Sequence, residues 1–174
     1  MDHQALAQLL GNYGEFLGAI GVVVTLIYLA RQIRQSNLAA ETAAIQAFFQ
    51  STESLTQAPR SNGGLMRKGL AHWQSLSSDE QVDLSSIFTD WASKIHMGYR
   101  LHLRRVLDAQ TYGGWEGSLV SVLKTPGGHE WWSNAQLMWP TDFRNQIDRV
   151  LSDEDTEILP WDEVMPWYSS SNTQ

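Results

Sequence analysis

The sequence predicts an all-α protein. One N-terminal transmembrane helix continues into a cytoplasmic antiparallel helical bundle, and a non-helical acidic C-terminal tail follows. Three observations carry this. From Phe16 to Ala30 the chain reads FLGAIGVVVTLIYLA, without a charge. From Arg31 to Leu151 apolar residues recur at helical spacing between start and stop signals. No segment shows sustained apolar–polar alternation with β-branched enrichment, the pattern of a half-buried strand.

The first element is the anchor. Extending the uncharged run back to Leu9 adds only Asn12 and Glu15 as strongly polar groups. At about 1.5 Å per residue, Leu9–Ala30 reaches roughly 33 Å, enough for a hydrocarbon core of about 30 Å. Tyr13 and Tyr28 sit near its two ends, as interfacial aromatics do. A cleaved signal peptide would carry positive charge before the run and small residues after it. Here MDHQALAQLLGNYGE precedes it, without Lys or Arg, and RQIRQ follows. A buried core helix is the other competing assignment, because the uncharged stretch alone is short for a span. Arg31 and Arg34 stand just after the run and set the orientation. The positive flank stays inside, so the N-terminus (residues 1–8) is expected outside and the chain after Ala30 in the cytoplasm.

Residues 31–151 are expected to form the cytoplasmic helical domain. Arg31–Gln57 has no Gly or Pro and presents Leu38, Ile45, Phe48, Phe49 and Leu55 as one stripe. The breaker run from Ala58 to Gly64 ends it. A short helix is expected over Leu65–Gln74. Ser77 with Glu80 three residues on is a capping box, starting a helix that runs to about Leu107. Its stripe is Leu84, Ile87, Phe88, Trp91, Ile95, Tyr99, His102 and Val106. Asp108 is a candidate cap for the next helix, through Trp115, Leu119, Val122 and Leu123. Thr125-Pro126-Gly127-Gly128 breaks the chain, and two short helices follow, His129–Met138 and Thr141–Leu151, parted at Pro140. The tail, residues 152–174, is acidic through Asp153, Glu154, Asp155, Glu157, Asp162 and Glu163, and no basic residue follows Arg149. Its Ile158, Leu159, Trp161, Val164, Met165, Trp167 and Tyr168 are expected to dock on the bundle or on a neighbouring subunit.

Composition narrows the function. With 12 Lys+Arg against 19 Asp+Glu the formal net charge is -7, which argues against a general nucleic-acid binder. The absence of cysteine excludes a disulfide framework and a thiolate metal site. The mean hydropathy of -0.29 conceals the one very apolar segment.

Three stretches, TLIYLARQIRQSN, TPGGHEWW and DFRNQID, resemble in order and spacing a family of uncharacterised small single-pass bacterial membrane proteins, common in proteobacteria. The resemblance covers the chain to about Leu151. It implies an anchor, a helical domain and the bacterial inner membrane. It brings no established activity, so no catalytic residue follows from it.

The residues of interest separate into sharp and bland readings. Gly11, Gly14, Gly18, Gly21 and Thr25 fall on one stripe of the anchor, preceded by Ala7. Small residues let helix backbones approach in lipid, so the stripe predicts self-association; the bland reading is that Gly is common in membrane helices. Glu15, beside this seam, is a candidate ion site, against the blander role of an acid wetted at the outer interface. His72, His96, His102 and His129 show no metal-ligand spacing. Gly127-Gly128-His129-Glu130 could present free N–H groups to a phosphate, but Glu130 would repel the anion. A turn that lets Trp131 and Trp132 reach the core fits better. The 8 Trp suit an aromatic core or subunit interface, or a pocket for a flat ligand.

The expected function is therefore a non-enzymatic inner-membrane scaffold or accessory subunit that self-associates through its glycine seam. A homo-oligomeric channel with Glu15 near its entrance is one alternative. A membrane-anchored ligand sensor or enzyme using the Trp-rich bundle is another. The expected partners are membrane lipid and either further copies or a larger membrane complex, not nucleic acid; no cofactor, metal ligand or catalytic set is assigned.

Overall fold

The computed structural model describes residues 3–153 and 158–165; for residues 3–12, Thr56, Ala58 and Pro59 it describes the backbone alone. Those described residues are helical or in turns and contain no strand, as an all-α protein requires. The helices are α1 His3–Ser61, α2 Gly63–Ala71, α3 Ser78–Leu103, α4 Ala109–Leu123, α5 Pro126–Ala135, α6 Thr141–Ser152 and α7 Trp161–Val164. Two 3₁₀ turns, Trp73–Ser75 and Gln136–Met138, fall between them. The contacts divide the chain into residues 1–44 and 45–174.

In the first of these units the described residues, from His3 on, are helical throughout. Every described side chain from Tyr13 to Ala43 is exposed. Residues 45–174 hold the core. There α3 packs on α4, α4 on α5 and α6, and α2 on α5. Phe48, Leu84, Phe88, Ile95, Leu119, Leu123, Phe143 and Ile147 are buried together. Glycine decides how closely these elements meet. A Cβ on Gly98 would stand 2.9 Å from the Phe48 ring, and one on Gly69 would lie 2.1 Å from Leu84 Cδ2.

Local chemistry explains the helix ends. The capping box is present: Ser77 Oγ accepts from Glu80 N at 3.3 Å, and Glu80 Oε2 accepts from Ser77 N at 2.7 Å. Asp108 caps α4, its Oδ1 accepting from Thr111 N at 2.8 Å. Lys68 pairs with Glu80 at 2.6 Å, and together with the Ser77 hydrogen bonds it holds the Glu80 carboxyl below its ordinary value.

Several expected boundaries need correction. α1 does not stop before the breaker run but passes through Pro59 to Ser61; a proline in the last turn forfeits one backbone bond without ending the helix. The next helix starts earlier than Leu65, at Gly63, and hands over to a 3₁₀ turn at Trp73. α3 ends at Leu103, not Leu107. There Arg105 takes φ 59 and donates its N–H to His102 O at 2.8 Å, while Val106 N donates to Leu101 O at 3.0 Å. This is a Schellman stop with arginine where glycine is usual. TPGG does not break the chain; it starts a helix. Thr125 Oγ1 accepts from Gly128 N at 3.1 Å, and Pro126 occupies the first turn, where its missing N–H costs nothing. The tail is not wholly non-helical. Pro160 precedes one turn, Trp161–Val164, closed by Val164 N donating to Pro160 O at 3.1 Å. Ser152, placed in the tail, belongs to α6. Trp167 and Tyr168 lie outside the described residues.

The docking expected of the tail is seen for its first part. Ile158 lies over Gly117, Lys124 Nζ donates to Ile158 O at 2.9 Å, and Trp161 meets Trp91 edge-to-face at 5.4 Å.

Candidate functional site

Two regions hold the residues of interest, and they are described separately. The first is the N-terminal part of α1. By length and composition this helix is long and apolar enough to cross a membrane, and its apolar stretch is 0% buried. Phe16, Leu17, Val22, Val24 and Leu26 are each between 59% and 64% exposed. A core helix of a water-soluble domain would bury one such face. The spacing of Gly14, Gly18, Gly21 and Thr25 places them along one line of the helix, and a Cβ on any of the three glycines would meet nothing within 4 Å. Thr25 Oγ1 donates back to Gly21 O at 2.8 Å, so its hydroxyl is satisfied without water. Glu15, Arg31 and Arg34 are all exposed. Gly11 and Ala7, the first members of the stripe, lie outside the residues whose side-chain surroundings are described.

The second region is a polar cluster between α3, α4 and α6. Glu116 is 8% exposed, and its Oε1 accepts from Tyr112 OH at 2.7 Å and from Gln146 Nε2 at 2.9 Å. The Tyr112 phenol is pushed far up, by burial first and then by its bond to Glu116. His102 stacks on Tyr112 at 5.0 Å with the rings 9° apart, and its Nδ1 lies 3.2 Å from Leu107 O. Tyr99 packs on Tyr112 and Phe143 at 5.9 and 5.7 Å, and its phenol is raised by burial and by Asp142. His96 rests on Phe143 at 5.0 Å; burial lowers its pKa, Asp142 opposes this and Arg100 adds to it.

Sequence reasoning missed this cluster. The signal was present: Glu116 falls four residues after Tyr112, three before Leu119 and seven before Leu123, a carboxylate on an apolar stripe. The histidines remain separate, and among the described residues no three His, Asp or Glu side chains gather as metal ligands do.

The tryptophans fill space against one another. Trp131, Trp132 and Trp139 pack within 6.2 Å, centroid to centroid, and Trp131 meets Phe88 edge-to-face at 5.3 Å. Two of the indole N–H groups have partners: Trp131 Nε1 donates to Ser85 Oγ at 3.0 Å and Trp132 Nε1 to Asp148 Oδ1 at 2.9 Å. Among the described residues there are also open depressions. One is lined by Trp73, Ser78, Gln81, Val82, Ser85 and Ser86, another by Asp108, Gln110, Thr111, Gly114, Trp115 and Ser118. Neither gathers the Glu116 cluster.

The glycines of TPGGHEWW are committed to packing. A Cβ on Gly127 would meet Gly69 O at 1.7 Å, and one on Gly128 would meet Val122 O at 2.0 Å. The start of α5 is thus covered by α2 backbone, which is where an anion would have to enter.

No family model matches the chain, and no curated protein and no solved structure matches it either.

Proposed function

We propose that this chain is a single-pass membrane protein of the bacterial inner membrane, acting as a non-enzymatic scaffold or accessory subunit that self-associates through its N-terminal helix. The observation that carries the reading is the 0% burial of a helix of membrane-spanning length and composition. A surface of that kind is costly in water and at home in lipid. Gly14, Gly18 and Gly21 support self-association, because open space at each lets a second backbone come close. Arg31 and Arg34 support an external N-terminus and a cytoplasmic domain, arranged as an antiparallel helical bundle. The Glu116 cluster supports a structural role for the interior. Its carboxylate accepts from two neutral donors within the fold. The resemblance in TLIYLARQIRQSN, TPGGHEWW and DFRNQID fits the same assignment without adding an activity.

The test is fractionation with a topology reporter. The chain should stay with bacterial membranes through alkaline and high-salt washes, and a reporter fused after Gln174 should be active only in the cytoplasm. Release by washing would remove the anchor; periplasmic activity would reverse the orientation.

A further inference from the structure

One end of the helical unit combines arginines with exposed apolar side chains. The ion pair Arg100–Asp142, at 3.8 Å, ties the last turn of α3 to the first turn of α6. Leu137 and Met138 stand in the 3₁₀ turn five and four residues before Asp142, on the chain that leads into α6, and they are 77% and 63% exposed. Leu103, at the end of α3, is 53% exposed. Arg104 and Arg105 follow it in the open, and Arg144 lies in the first turn of α6. Of the nearby carboxylates, Asp142 pairs with Arg100 and Glu116 is buried with Tyr112 and Gln146, while Asp108, the cap of α4, keeps its charge; Arg100, Arg104, Arg105 and Arg144 outnumber these three by one. In a chain of net charge -7 this is a local reversal of sign.

Helix electrostatics account for part of it. Arg100 and Arg104 complement the negative end of α3. They do not account for Arg105. That residue sits at φ 59, in the left-handed region that closes a Schellman stop, where glycine carries no steric cost. An arginine held there costs the fold energy and projects a guanidinium into solvent; an outlier of this kind points to use of the side chain. Helix electrostatics also leave Leu137 and Met138 unexplained.

We propose that this end of the molecule docks on anionic phospholipid headgroups, with Arg104 and Arg105 on the phosphates and Leu103, Leu137 and Met138 entering the interface. Basic groups beside exposed aliphatic side chains are the combination that interfacial binding uses, since each arginine adds attraction and each apolar side chain adds burial. The proposal rests on the membrane reading above only for the source of the lipid.

The chain has no cysteine, so single labelling sites can be introduced cleanly. The full chain would be reconstituted in vesicles of phosphatidylcholine, with or without phosphatidylglycerol. An environment-sensitive fluorophore would be placed at Leu137→Cys, at Leu103→Cys, at Val82→Cys as an exposed control on the N-terminal half of α3, and at Val23→Cys in the anchor. Labels at 137 and 103 should blue-shift and be quenched by lipid-borne quencher when phosphatidylglycerol is present, and the shift should fall at high salt; the label at 82 should stay in water. Arg105→Gly is the decisive variant. It should raise the melting temperature by relieving the backbone while lowering lipid contact at 137 by about fivefold, the value of one arginine at such a surface. Unchanged contact in that variant, or labels at 137 and 103 that remain wet, would overturn the proposal. Shielding that grows with protein density regardless of lipid charge would assign the surface to another protein copy and overturn it too. Failure of the anchor is read separately, as a wet label at 23.

Discussion

The backbone of Gly127 in α5 lies so close to Gly69 in α2 that a Cβ on Gly127 would stand 1.7 Å from Gly69 O. Neighbouring Gly128 is as confined, against Val122 O. A pair of backbones meeting without side chains sets the distance between α2 and α5, and with it the position of Trp131 and Trp132 one turn on. Gly127→Ala should therefore destabilise strongly, by about 3 kcal/mol or more, because the opposing atom is backbone and cannot rotate away. Gly113→Ala and Gly114→Ala offer the contrast. They are helix-interior glycines with nothing within 4 Å of an added Cβ, and each should be neutral or stabilising by up to about 1 kcal/mol. Thermal melts of the detergent-solubilised chain, followed by circular dichroism, would check both. A Gly127→Ala protein as stable as wild type would refute the close approach.

How much of the fold is legible in the sequence differs by element. Ser77/Glu80 and Asp108 are legible because a cap is a local event: one side chain, one N–H, three residues apart. The helical class is legible from the stripes for the same reason. TPGG misleads because Pro and Gly mark both ends of helices, and only Thr125 reaching Gly128 N decides which. The stop at Leu103 is invisible because Arg105 fills a position that usually announces itself as Gly. Glu116 leaves one local mark, a carboxylate on an apolar stripe four residues after Tyr112, but its other partner Gln146 comes from α6, 30 positions away, and that pairing leaves none.

Glu116 supports the second prediction. Glu116→Ala would leave the buried Tyr112 OH without its acceptor, at a cost of about 1–3 kcal/mol, and would free the half-buried Gln146 Nε2 at a smaller cost. Glu116→Gln keeps an acceptor oxygen and should recover much of the loss. Denaturant midpoints of the two variants would show this order; equal midpoints would remove the network from the account of stability.

Tyr112 adds an alkaline limit. Its folded pKa lies above the ordinary 10.0, so the unfolded chain loses the phenolic proton first as pH rises. Stability from this group is full below the ordinary value and falls away above it. Wild type should therefore lose melting temperature above about pH 10 more steeply than Tyr112→Phe, which has no proton to lose. Parallel curves would show that the phenol is not held neutral by the fold.

His96 acts at the other end of the scale. Its folded pKa is lowered from 6.5, chiefly by burial, so the unfolded chain takes up the proton first on acidification. The contribution is full above the ordinary value and is lost as pH falls through the lowered one. Melting temperature should decline as pH drops from about 7.5 towards 5, and His96→Gln should flatten that decline. The prediction fails if the variant keeps the wild-type slope. Asp142 and Arg100 face the ring with opposite effects, so Asp142→Asn should steepen the decline by removing the group that favours the charged form.

The proposed helix-packing seam is where sequence comes nearest to mechanism. Gly14 and Gly18 present open backbone along one line of α1, with Gly21 and Thr25 continuing it. Two such helices can meet at backbone distance, gaining many small dispersion contacts and weak Cα–H···O contacts. Leucine at position 14 or 18 would fill that contact and hold the helices apart. Gly14→Leu and Gly18→Leu should each weaken assembly by at least tenfold, about 1.4 kcal/mol. Val23→Leu adds bulk to an exposed apolar position off the line, where lipid accepts it, and should leave assembly unchanged. Native mass spectrometry or cross-linking in native-like lipid reads the state directly. A wild type that is monomeric there, or glycine variants that keep the wild-type state, would refute the seam, and a channel built around Glu15 would lose its basis as well.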